Sequence, residues 1–155
     1  VGSEMCIRDR HFFLHFGLEH LVNNMIALLV LGYTLEQDIG RIRYLILYML
    51  SGILSGFVSV YVNWSLGENV VSCGASGAIY GLMGALLMVL LKNRKQIVRG
   101  DIIRFGIYLV LSLYSGMQDT GIDNTAHFSG VVAGFILCSV LYQRKNKTDI
   151  RIGGY

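Results

Sequence analysis

A serine set among small residues stands at the mouth of an apolar run: Cys73-Gly74-Ala75-Ser76-Gly77 leads directly into Ala78 to Leu91. That placement displays a hydroxyl. A serine attacks a carbonyl when a base takes its proton, and the sequence offers His127, at the start of a later apolar run behind Asn124 and Thr125. The oxyanion formed by such an attack needs preorganised donors. His20 and Asn24, four residues apart and so on one helical face, can supply them with backbone N–H groups at the start of the Ser76 helix. Ser76 and Tyr80 share the same spacing. Together these residues read as an acyl-transfer site.

The elements that must position them are membrane helices. The chain has 155 residues, 54% hydrophobic and 15% charged, with no proline and a mean hydropathy of +0.55, a composition foreign to a soluble domain of this size. Five apolar segments are predicted: Leu18 to Leu35, Tyr44 to Val62, Ala75 to Leu91, Ile102 to Met117 and Ala126 to Tyr142. Most match the roughly 17 to 25 residues that cross a hydrocarbon core of about 30 Å as helix. The fourth is short, carries Arg104 and is expected to pack most loosely. Fold class is therefore all-α membrane, a polytopic helical bundle. Residues 1–10 are expected to be a non-native-looking or disordered tail, 11–142 the core and 143–155 a basic cytoplasmic tail. His11 to Phe16 suits the headgroup boundary.

Basic residues orient the bundle. Arg41, Arg43, Lys92, Arg94, Lys95 and Arg99 follow the first and third segments, whereas Asn63 to Gly74 and Gln118 to Thr125 hold no Lys or Arg. By the positive-inside rule Ser76 faces the non-cytoplasmic side. The His20/Asn24, Ser76/Tyr80 and His127 groups then share one depth. Small faces allow the approach: Gly77, Gly81 and Gly84 on the third segment, and Gly130 and Gly134 on the fifth. Gly52 and Gly56 are expected to be a further packing pair.

Each residue has a plainer reading when taken alone. Ser76 can cap its helix or bond back to it, Asn24 can join helices, and Tyr80 can belong to an aromatic belt. Cys73 is a competing nucleophile, but nothing basic flanks it in sequence. His11, His15, His20 and His127 all fall on the outer side, which keeps a metal site open although no HExxH spacing is present. Cys6, Cys73 and Cys138 show no paired spacing. The net charge of +3 sits in short clusters between apolar runs, unlike a nucleic-acid surface.

Taken jointly, the motifs resemble the rhomboid intramembrane serine proteases. The residues that carry the resemblance are His15 to Asn24, Gly32-x-x-x-Glu36-x-x-x-Gly40, Gly74-Ala75-Ser76-Gly77 with Tyr80, and Ala126-His127-Phe128-Ser129-Gly130 with Gly134. The resemblance implies a Ser76–His127 dyad and an oxyanion hole of His20, Asn24 and the Ser76 N–H. It further implies Tyr80 against the His127 ring, Gly74 and Asn124 lining the site, and a structural role for Glu36. Substrates would be transmembrane segments of other membrane proteins, admitted past the Ile102 to Met117 helix, with no metal or cofactor. The family core has six helices and five are legible here, which implies an absent first helix. Small size suggests a prokaryotic plasma membrane. A reading from another class is a non-catalytic membrane protein that binds client helices or holds a metal with its histidines.

Overall fold

A computed structural model describes the backbone of residues 2–67, 74–118 and 123–142, with side chains from residue 21 onward except residue 74. It contains five helices: α1 (Gly2–Ile39), α2 (Arg41–Leu66), α3 (Gly74–Lys92), α4 (Arg99–Met117) and α5 (Asn124–Leu141). No strand occurs among the described residues. The fold is the all-α bundle expected. Helices α2 to α5 match the predicted segments to within a few residues at each end, while α1 starts at Gly2 and so takes in residues set aside on sequence as a tail. The basic tail from residue 143 lies outside the described residues.

Among the described residues, three helices are long and apolar enough to cross a membrane: Arg41–Leu66, Ala75–Lys92 and Asn124–Leu141. Helix α4, with Arg99, Asp101 and Arg104 in its first two turns, is not one of them. Helix α2 shows what surrounds the bundle. Its buried residues are Leu47, Ser51, Ser55, Ser59 and Asn63, while Phe57, Tyr61 and Trp64 are exposed. Polar inside and apolar outside is the reverse of a soluble amphipathic helix, and it is stable only with lipid as the outer solvent.

Helix α3 lies at the centre, packed most extensively on α5, with both against α2; α4 meets α3 and α5 only lightly. The central contacts are backbone to backbone. A Cβ on Gly134 would fall on the Gly81 carbonyl, one on Gly130 on the Gly77 carbonyl, and one on Gly84 on the Val131 carbonyl. From α2, Ser51 abuts Gly81 and Ser55 abuts Gly77. The α2 contacts on these glycines thus come from its serines and not from Gly56, where a Cβ would meet nothing within 4 Å. The serines stay compact because they bond back to their own helix, Ser51 Oγ donating to the Tyr48 carbonyl at 3.2 Å and Ser55 Oγ to the Gly52 carbonyl at 2.9 Å.

The apolar core fills the end of the bundle away from Ser76, where Leu35, Leu47, Leu82, Val89 and Cys138 are fully buried. Gly40 alone links α1 to α2, at a φ of 85° that glycine adopts without strain. Arg41 Nε donates to Glu36 Oε1 across this turn at 2.8 Å. Both side chains are solvent-facing, so the pair contributes little.

A valine at position 134 must displace the Gly81 backbone. Gly134→Val is therefore expected to cost about 1–3 kcal/mol or more, whereas Gly56→Ala should hold or slightly raise stability. Reversible unfolding of the two variants in mixed micelles checks the contrast.

Candidate active site

Helix α3 begins at Gly74, which places Ser76 in its first turn. Ser76 is buried in the bundle. His127 sits in the first turn of α5, also buried, and its N–H donates to the Asp123 carbonyl at 3.2 Å. The seam described above brings these two helix starts together: Gly130, one turn beyond His127, lies on the carbonyl of Gly77, the residue after Ser76.

Ser76 and His127 line one cleft of about 430 Å³ with Asn24 from α1, Tyr80 from α3, and Tyr108 and Ser112 from α4. The Tyr80 ring stacks on the His127 imidazole, with centroids 4.1 Å apart and planes 24° from parallel. That contact restricts imidazole rotation and shields one ring face. The Tyr80 hydroxyl in turn lies 2.8 Å from Ser112 Oγ and donates to the Ser112 carbonyl at 3.2 Å. One tyrosine therefore touches both the imidazole and helix α4.

Of the residues singled out on sequence, Ser76, Tyr80, Asn24 and His127 share this cleft. Gly74 is the first residue of α3. The side chain of His20, and Cys73 altogether, lie outside the described residues. Asn124 lines a different cleft of about 470 Å³, between α2, α4 and α5, with Val58, Val62, Met117 and Phe128. It precedes His127 by three residues, about 60° short of a full helical turn. Among the described residues no group of three His, Cys, Asp or Glu side chains is placed to hold a metal ion.

Sequence reasoning did not find Ser112, whose partner is 32 residues away. It also missed a buried chain of polar groups behind His127. Asn63 Nδ2 donates to Ser59 Oγ at 3.0 Å, Ser59 Oγ donates to Asp123 Oδ2, and Asp123 Oδ1 accepts from the Ala126 N–H at 2.9 Å. The signal was present in the spacing of Ser51, Ser55, Ser59 and Asn63, every fourth residue of an apolar helix.

Residues 10–144 match the Rhomboid domain family. The chain is 35% identical over 128 residues to Rhomboid protease GluP of Bacillus subtilis (strain 168), covering 83% of this chain and 24% of that protein. It is 42% identical over 136 residues to RHOMBOID-like protein 5 of Arabidopsis thaliana, covering 84% of this chain and 42% of the relative. Against RHOMBOID-like protein 6, mitochondrial, also of Arabidopsis thaliana, the identity is 35% over 143 residues, 90% of this chain and 45% of the relative. The chain thus spans less than half the length of each of these relatives. No solved structure matches it.

The bond between Tyr80 and Ser112 sets an expectation for α4. Tyr80→Phe keeps the ring stack and removes the hydroxyl, and should cost about 0.5–1.5 kcal/mol, the net worth of one such bond. Ser112→Ala leaves the Ser112 carbonyl in place and should cost no more than that, and the double variant little more than Tyr80→Phe alone. A double-mutant cycle by unfolding in micelles measures this coupling.

Proposed function

The chain belongs to the rhomboid family, and from that premise we propose that it is the core of an intramembrane serine endopeptidase that cuts peptide bonds in or beside transmembrane segments of other membrane proteins. The observation that carries the reading is the single cleft shared by Ser76, His127, Tyr80 and Asn24. Ser76 Oγ attacks the scissile carbonyl while His127 takes its proton. Charge developing on the carbonyl oxygen is met by the Ser76 N–H in the first turn of α3 and by Asn24 and His20. His127 then gives its proton to the leaving amine as the C–N bond breaks. Water next attacks the acyl-serine with His127 again as base, releasing the acid and restoring the hydroxyl. Tyr80 holds the imidazole through ring contact, and Gly74 flanks the nucleophile.

A membrane-embedded substrate needs a lateral path. A groove of about 540 Å³ between α1 and α4, lined by Ile26, Val30, Leu31 and Phe105, shares Asn23, Ala27, Tyr108 and Ser112 with the cleft. We assign this groove as the approach for a substrate helix. The light packing of α4 supports that assignment. The distribution of Lys and Arg supports a site that opens toward the non-cytoplasmic face.

The test is labelling of the full-length protein carrying this sequence with a serine-reactive fluorophosphonate, together with cleavage of a transmembrane reporter. Ser76→Ala and His127→Ala should each abolish both signals. Asn24→Ala should slow cleavage by roughly 10²- to 10³-fold, the effect of one oxyanion donor. Chelators should leave the rate unchanged. Retained cleavage in Ser76→Ala with loss in a Cys73 variant overturns the serine assignment.

A further inference from the structure

Asp123 is buried where α5 begins, and a carboxyl group buried in a membrane bundle is costly unless its oxygens are engaged. Its two oxygens face different elements. Oδ1 accepts from the Ala126 N–H at 2.9 Å, the N-cap of α5, and Oδ2 accepts from Ser59 Oγ on α2. Ser59, fully buried, is held in turn by Asn63 Nδ2 at 3.0 Å. A cap alone needs one oxygen; the second ties the start of α5 sideways to α2.

That tie lies beside the reacting groups. His127 donates its N–H to the Asp123 carbonyl at 3.2 Å, so a shift of Asp123 moves the backbone that carries the imidazole. One turn back along α2 from Ser59, Ser55 abuts Gly77, the residue after Ser76. Helix α2 therefore seats the helix of the nucleophile with one serine and the helix of the base with the next. We infer that Ser59 and Asp123 are positioning residues of the proposed peptidase, fixing the His127 imidazole relative to the Ser76 hydroxyl through α2 without touching substrate. This rests on the Ser76–His127 reading and adds the element that sets their separation.

The experiment compares fluorophosphonate labelling rate, kcat and KM, and unfolding midpoint for the full-length protein. Ser59→Ala removes the tie and leaves the cap. Asp123→Ser keeps an N-cap hydroxyl but is too short to reach Ser59 as well. Each is expected to lower the labelling rate and kcat by roughly 10- to 100-fold, the scale of a displacement on the order of 1 Å in a catalytic constellation. KM should stay within about twofold, and Ser59→Thr should recover most of the rate. Labelling and kcat within twofold of wild type in both variants overturn the inference, as does a fall in rate only in proportion to lost folded protein. If Ser59→Ala does not fold, Asp123→Ser and the Thr variant decide the matter on the same readouts. A wild type that Ser76→Ala shows to be unlabelled at Ser76 overturns the peptidase reading, and the inference with it, a result distinct from a normal wild type with normal variants.

Discussion

Lipid chains are as apolar as leucine, so helices in a bilayer gain little by hiding apolar side chains from their surroundings. Close approach of backbones supplies the attraction instead, and in this protein it depends on the removal of atoms. Gly81 and Gly84 of α3, Gly130 and Gly134 of α5, and the folded-back serines of α2 leave three helices touching through carbonyls and Cα atoms. Both helix starts that bear the proposed chemistry hang from that seam. Ser76 precedes the first glycine of the α3 face, and His127 stands one turn before the first glycine of the α5 face. A side chain anywhere along the seam would separate hydroxyl from imidazole before it disturbed either residue directly.

The two ends of the bundle divide the work. Away from the site, Leu35, Leu47, Leu82 and Val89 pack as an ordinary apolar core. Toward the site the interior turns polar, with Ser59, Asn63, Asp123, Ser76 and His127 all buried. Groups of this kind persist at membrane depth only where hydrogen bonds satisfy them, and the Asn63–Ser59–Asp123 chain does so while joining α2 to α5. Tyr80 makes the corresponding link to α4, which otherwise meets its neighbours lightly.

Much of this was legible in the sequence, for a physical reason. Polar residues in apolar segments are costly, so Ser76, His127, Asn24 and Tyr80 stood out and their common depth could be argued before any coordinates; the structure puts them in one cleft. The glycine faces of α3 and α5 were readable by spacing. On α2, Gly56 was misread because glycine is the conspicuous small residue, whereas Ser51 and Ser55 pack on the glycines of α3 once their hydroxyls fold back on the preceding turn. Ser59 and Asp123 are 64 residues apart, and no periodicity pairs residues on separate helices. Asn124 lines a second cleft between α2, α4 and α5, whose walls come from separate helices that no sequence spacing pairs.

The inverted character of α2 bears on how this sequence can vary. In a water-soluble helix the bulky buried positions are the intolerant ones and the surface drifts freely. Here Phe57, Tyr61 and Trp64 face outward, where any apolar side chain of about the same size dissolves equally well in acyl chains. Ser51 and Ser55 face inward against glycine backbone with no room for growth. A saturation-mutagenesis map of α2 would therefore look like the photographic negative of a soluble helix: its dark bands, one every fourth position, would fall on its buried serines.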